Sequence, residues 1–217
     1  MGKLEANKQQ KLTSLLNTAF NLFTTQGVTK TSIAEISQKA GIAKGTFYLY
    51  FKDKYDIRNR LISHESSKLF KNAVADLEEF SKEKNEQLGF EEKIIFIINH
   101  IVDELNSNQT LLTFISKNLS WGIFKEALTT KVASDDINFK DVYYEMINAE
   151  DISLEEPEIM LFLIVELVSS TCYSAILYKE PADIDTIKPY LFKTVRAIIR
   201  EHTIDRKSTR LNSSHRT

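Results

Sequence analysis

An all-α fold, with a small three-helix N-terminal domain and a larger helical domain after it, follows from three features of this 217-residue sequence. Apolar residues recur at three- and four-residue spacing along most of its length. Only 6 Gly and 3 Pro punctuate it, which favours long helices over frequent turns. No sustained apolar–polar alternation and no Asn-Gly hairpin marks a strand. A composition 42% hydrophobic and 27% charged suits a soluble globular protein with ample core. The single cysteine, Cys172, excludes an internal disulfide and fits a reducing compartment. No charged-then-apolar leader opens the chain, which argues against secretion. The longest apolar run, Ile159–Val165, is far short of the roughly 20 residues that span a bilayer. A cytoplasmic protein with no membrane partner is expected.

The elements follow in order. Lys8 to Gln26 carries Leu12, Leu15, Leu16, Ala19, Phe20, Leu22 and Phe23 on one broad stripe and ends at Gly27. Ser32 and Glu35 form a capping box that opens a short helix with Ile33, Ile36 and Ala40 on one face, closed by Gly41. A second short helix spans about Ala43 to Tyr50, with Phe47 and Phe51 turned to the core beside Ile42. Such short helices need the first helix as a brace. Asp53 caps a long helix, Lys54 to Phe80, and Ser81 to Leu88 reads as a charged loop. Further helices are expected at Phe90–Leu105, Thr110–Gly122, Ile123–Leu128, Phe139–Ile147, Pro157–Tyr178 and Asp183–His202. Pro157 suits a helix start, whereas Pro189 should kink the last helix or mark its true beginning. The tail Asp205 to His215, DRKSTRLNSSH, departs from all of this and resembles the translation of a sequencing-library adapter. With Arg216 and Thr217 it is expected to be extraneous or disordered.

The stretch Ser32–Lys54 carries the chemistry. The outward positions of its second short helix are Lys44, Gly45, Thr46, Tyr48 and Tyr50: a cation, a gap without a side chain, a hydroxyl and two phenols. Phenols normally seek burial, so this is an unusual solvent face. It suits a surface that enters a nucleic-acid groove and bonds to phosphates and base edges. Two helices, a Gly-containing turn and a polar, aromatic second helix make a helix-turn-helix. Lys44 is the best base reader, since Lys donates to guanine O6 and N7; Thr46, Tyr48 and Tyr50 should bind phosphate, and Gly45 lets the backbone come close. Lys54 sits in a helix first turn whose N-terminus favours phosphate, and Thr31 and Ser32 add contacts ahead of the preceding helix. Charge agrees: Met1–Ile62 holds ten Lys and Arg against four Asp and Glu, a net +6, while the remainder is −8.

The run Ala40-Gly41-Ile42-Ala43-Lys44-Gly45-Thr46-Phe47-Tyr48-Leu49-Tyr50-Phe51-Lys52-Asp53-Lys54 resembles the signature of TetR-type bacterial transcriptional regulators. That pattern is roughly A-G-[VI]-[SA]-x-G-[TS]-[LIF]-Y-x-[YH]-F-x-[SND]-K, matched here at nearly every fixed position. Ser37 departs, standing where the family usually places a small apolar Ala; a small hydroxyl can bond back to a carbonyl one turn earlier, so no loss of fold is expected. The resemblance implies a helix-turn-helix DNA-binding domain over residues 1–53 and a ligand-binding and dimerisation domain over 54–204. It also implies a dimer on a palindromic double-stranded operator, most often a repressor released by an inducer.

No Walker loop, G-x-S-x-G, H-E-x-x-H or Cys/His cluster is present, so no catalytic residue, metal site or cofactor is assigned. Two alternatives stay open: a DNA-binding regulator governed by a protein partner without a small ligand, and a helical enzyme with an apolar cavity. Phe96, His100, Phe114, Asn118, Trp121, Tyr144 and Tyr173 lie on helices expected to enclose the second domain's centre. Aromatic walls with a few polar atoms suit a small apolar or amphipathic effector, although the same residues could simply fill the core. Pro157–Tyr178 and Asp183–His202 are the expected homodimer helices, with the small Ser170, Ser174 and Ala175 where helices approach.

Overall fold

The computed structural model describes residues 2–85, 87–118, 139–150 and 152–204. Trp121, the expected helix Ile123–Leu128 and the tail from Asp205 onward lie outside the described residues, as does the side chain of Asn118. Among the described residues there are nine α-helices: α1 Lys3–Gln26, α2 Ile33–Lys39, α3 Lys44–Phe47, α4 Lys54–Lys84, α5 Phe90–Ser107, α6 Gln109–Asn118, α7 Phe139–Ala149, α8 Pro157–Leu177 and α9 Ile184–His202. No strand is found among them; a single antiparallel bridge joins Leu154 and Thr203. Two compact units emerge, one within Met1–Asn72 and Thr110–Phe139, the other within Ala73–Gln109 and Lys140–Thr217.

The first unit is built on α1. Its buried stripe Leu15, Leu16, Ala19, Leu22 and Phe23 has the predicted period, and Ile36, Phe47, Phe51, Ile57, Leu61 and Ile62 complete the buried set. Ser32 Oγ accepts from Glu35 N–H at 3.1 Å, as the capping box requires. At the other end of α2, Gly41 takes φ +70°, Gly41 N–H reaches Gln38 O at 3.2 Å and Ile42 N–H reaches Ser37 O at 2.9 Å. This is a Schellman closure, and it aims the chain into α3. Ser14 Oγ then donates to Ala40 O at 3.1 Å, tying α1 to that turn. Phe114 of α6 packs edge-on to Phe20 at 5.5 Å and stacks on Phe23 at 6.5 Å.

Ser37 does not behave as its sequence suggested. It is 2% exposed, and its Oγ makes no hydrogen bond, to the carbonyl a turn earlier or to any other described group. A buried hydroxyl without a partner loses its hydration and regains nothing. Ser37→Ala should therefore stabilise the protein by about 1 kcal/mol, helped by the better helix propensity of Ala. A thermal melt checks the sign: a lowered midpoint would reveal a partner for that hydroxyl.

The second unit packs α5, α8 and α9 together, with Phe90, Val102, Met160, Cys172, Leu191 and Val195 in its core. Burial pushes the Cys172 thiol up to about 12, so it is chemically quiet. Asp183 caps α9 by accepting Thr186 N–H at 2.9 Å. The helix starts at Ile184 and runs through Pro189, so that proline does not mark its beginning. Polar staples fix the N-terminal end of α5. Glu150 takes Phe90 N–H at 2.6 Å and Lys93 Nζ at 2.7 Å, while Glu91 pairs with Arg196 at 2.6 Å and Arg200 at 2.9 Å. The Arg200 guanidinium, with Arg196 adding to it, holds the Glu91 carboxyl below the usual carboxylate range. Helix α8 is long and apolar enough, by length and composition alone, to cross a membrane, although no single apolar run in it approaches that length. Only 33% of that window is buried within the chain. The exposed positions Ile159, Leu163, Glu166 and Ser170 fall at helical spacing along one line.

Candidate nucleic-acid interface

The recognition element is shorter than its sequence predicted. Regular α-helix covers Lys44–Phe47, and the chain then tightens: Leu49 N–H bonds Thr46 O at 3.1 Å and Tyr50 N–H bonds Phe47 O at 2.9 Å, both three residues back. Phe47 is fully buried and Phe51 is 1% exposed, their rings 5.5 Å apart. These two anchors turn the opposite side of the element outward. Lys44, Gly45 and Tyr48 are exposed there, and Thr46 and Tyr50 are half-buried. Tyr50 Oη donates to Lys8 O at 3.4 Å, linking the turn to the start of α1.

The remaining predicted contacts fare differently. Ser32 is exposed, but its Oγ is occupied by the cap. Thr31 is 1% exposed and its Oγ1 donates to Gly27 O at 2.8 Å, so its side chain closes the turn ahead of α2 and presents nothing outward. Lys54 Nζ donates to Thr29 O at 3.0 Å and Thr31 O at 3.2 Å, holding the same turn and keeping one N–H to spare. The α4 N-terminus is not an open anion site. Asp53 Oδ1 accepts the N–H groups of Tyr55 at 2.7 Å and Asp56 at 2.8 Å. Gln26 Nε2 donates to Glu35 at 2.8 Å, and this bond holds the Glu35 carboxyl below its ordinary range. Glu35 is thus an internal brace beside an otherwise basic face.

Two further cations that sequence spacing does not single out flank this face. Lys8 and Lys11 are exposed on α1, and the Tyr50–Lys8 bond brings the first of them to the recognition turn. The signal was available in the positive count of the first 62 residues, but sequence alone does not show that α1 begins beside that turn.

The residues proposed to line an effector pocket do not share one set of neighbours. Phe114 is 4% exposed and belongs to the first unit, packed on Phe20 and Phe23. In the second unit Phe96 lies 5.3 Å from Phe80, and His100 Nδ1 sits 3.0 Å from Asp76 with Nε2 3.4 Å from Glu104. Phe96 and His100 line an open groove along α5 with Asn99, Asp103, Glu104 and Ser107. Tyr144 meets Tyr143 edge-on at 5.5 Å, and Tyr173 Oη is 3.1 Å from Tyr178 Oη near the surface. Among the described residues no group of three His, Cys, Asp or Glu side chains is placed to hold a metal ion.

Comparison with known proteins agrees with this geometry. The family model described as "Bacterial regulatory proteins, tetR family" matches residues 15–61, from the middle of α1 into α4. The HTH-type transcriptional regulator AcrR of Shigella flexneri is 40% identical over 55 residues, 25% of this chain and 26% of that protein. A fatty acid metabolism regulator protein of Bacillus subtilis is 31% identical over 93 residues, 42% of this chain and 44% of that protein. The chain thus spans between a quarter and under half of the curated relatives it matches. In overall fold it resembles the crystal structure of the transcriptional regulator FadR from Bacillus subtilis in complex with stearoyl-CoA. The TM-score is 0.59 at 18% identity, covering 86% of this chain and 98% of that one.

Proposed function

We propose, from the match of residues 15–61 to the tetR family of bacterial regulatory proteins, that the chain is a ligand-responsive transcriptional regulator, acting as a repressor. In this reading residues 1–53 bind one half of a palindromic operator and residues 54–204 dimerise and take the effector, in the cytoplasm where the operator lies. The carrying observation is that Ala40–Lys54 matches the family pattern in register and turns Lys44 and Tyr48 outward, with Thr46 and Tyr50 half-buried beside them, from a capped, Phe-anchored helix-turn-helix. Lys44 reads a base edge; Thr46, Tyr48, Tyr50, Lys8 and Lys11 position the phosphate backbone. No catalytic constellation enters into this reading.

For the effector, a small apolar or amphipathic molecule is proposed, with fatty acyl thioesters the first class to test. The match to the fatty acid metabolism regulator runs 93 residues, well beyond the stretch covered by the family model, and the similar fold of FadR was solved with stearoyl-CoA. Release from DNA requires that the ligand prefer the non-binding conformation, since equal affinity for both shifts nothing.

The full chain should enrich a palindromic duplex from a random pool, with affinity falling steeply in salt, and a long-chain acyl-CoA should loosen that complex. No enrichment at low salt would overturn the DNA-binding reading; enrichment indifferent to acyl-CoA thioesters would overturn the effector class. Lys54→Ala should lower the salt slope by about one unit on every sequence alike. It should also cost about 1 kcal/mol of stability, because two backbone carbonyls lose a charged donor. A melt and a salt titration on the same variant separate the two effects, and an unchanged slope would leave Lys54 a purely structural role.

A further inference from the structure

Leu49 is 82% exposed on the element whose other apolar residues, Phe47 and Phe51, are at 0% and 1%. It lies on the side opposite those anchors whether the turn is counted at 3.6 or at three residues per turn, and the N–H bonds of Leu49 and Tyr50 are of the tighter kind. Leu49 is more exposed than its neighbour Tyr48, which is at 51%. Four residues earlier on the same outward line stands Gly45. Nothing among the described residues asks for a glycine there. Its φ is not left-handed, and a Cβ built on it would meet no atom within 4 Å. A glycine in an exposed helical position is unfavourable relative to Ala, so its use here fits a backbone that a partner approaches closely. The outermost ridge of the element is therefore a bare backbone position followed by one branched aliphatic group. Lys44 and Tyr48 flank it on one side, Thr46 and Tyr50 on the other.

We propose that Leu49 is a specificity-determining residue that reads the 5-methyl group of a thymine in the major groove, with Gly45 giving the clearance that lets it reach. This inference rests on the DNA-binding reading above and deepens it. The ridge sits in the middle of a basic, hydroxyl-bearing face, which selects a polyanion as its occupant. The one apolar feature on a major-groove base edge is the thymine methyl. A leucine there gains from covering that methyl and meets only polar edges at other bases.

The test begins with the duplex the full chain selects from a random pool. Each thymine in it is replaced in turn by deoxyuridine, which removes the methyl and leaves the hydrogen-bonding edge intact. The wild-type protein should lose about fourfold in affinity at one thymine of each half-site, the value of one buried methyl group. Leu49→Ala should bind the unmodified duplex more weakly by a similar or larger factor and be indifferent to deoxyuridine at that position, while Leu49→Met should stay sensitive. Because Leu49 is exposed, all three proteins should share one circular dichroism spectrum and one melting midpoint. Full deoxyuridine sensitivity in Leu49→Ala, or no methyl-sensitive thymine in the wild type, overturns the proposal and leaves the DNA-binding reading standing. Failure to select any duplex overturns both.

Discussion

Phe47→Ala should destabilise the first unit by about 3–5 kcal/mol and abolish specific DNA binding. Phe47 is fully buried, with the Phe51 ring 5.5 Å away and the Tyr48 ring edge-on at 5.6 Å. It is the last residue of a four-residue helix that cannot hold its shape alone. Its ring is what fixes the outward direction of Lys44, Gly45, Tyr48 and Leu49. Truncation removes the transfer free energy of a phenyl ring and opens a cavity beneath the recognition turn that short elements cannot collapse to fill. Amide exchange across residues 33–51 should speed up by on the order of a hundredfold or more, and the melt of this unit should fall to lower temperature. Wild-type exchange rates in those amides would show that the turn is held by its backbone bonds and caps, and that the ring is dispensable.

The contrast between Phe47 and residues such as Thr31 and Lys54 shows what a linear sequence exposes. Caps and hydrophobic anchors are local: Ser32 with Glu35, Gly41 after α2, Asp53 before α4 and the Phe47–Phe51 pair are each specified within four residues, and each stands as expected. Helix ends with charged residues were harder to place. Helix α1 begins at Lys3 and α4 continues to Lys84, because Lys3–Asn7 and Ser81–Lys84 carry little apolar signal although nothing in them breaks a helix. Side-chain destinations across the fold were not legible. Thr31 reads as a polar residue ahead of a helix, yet its hydroxyl turns in to Gly27 O. Lys54 reads as a phosphate contact, yet it spends two donors on the turn at Thr29 and Thr31. Ala175 was expected at an approach between helices, but it is 2% exposed within its own chain, while Ser170 remains outward. The proposed effector residues among the described ones share the same difficulty: rotation about a helix axis is set by tertiary packing, and Phe96, His100, Phe114, Tyr144 and Tyr173 meet different neighbours.

Leu163→Asp should convert the proposed dimer to a monomer and, with it, weaken operator binding by about a hundredfold or more. Helix α8 presents Ile159 at 49% and Leu163 at 42% exposure, one turn apart on the line that continues through Glu166 and Ser170. Its inner side, through Met160, Ile164 and Cys172, is already satisfied by its own chain. Large aliphatic groups in such a row have no reason to remain in water when a second α8 can cover them, and the exposed Tyr190 of α9 adds to the same kind of surface. A carboxylate at position 163 would have to be desolvated in that contact without a partner, which costs about 3 kcal/mol or more and so about a hundredfold or more in dimer affinity. Two half-sites bound by unlinked heads then lose the advantage of effective concentration. Light scattering at micromolar protein measures the mass directly, and a titration on the selected duplex measures the consequence. The exposed site predicts an unchanged melt for the isolated chain at high dilution, so a lost dimer cannot be blamed on unfolding. A Leu163→Asp protein that still runs as a dimer, or a wild type that is monomeric with and without DNA, would place the second copy elsewhere or remove it.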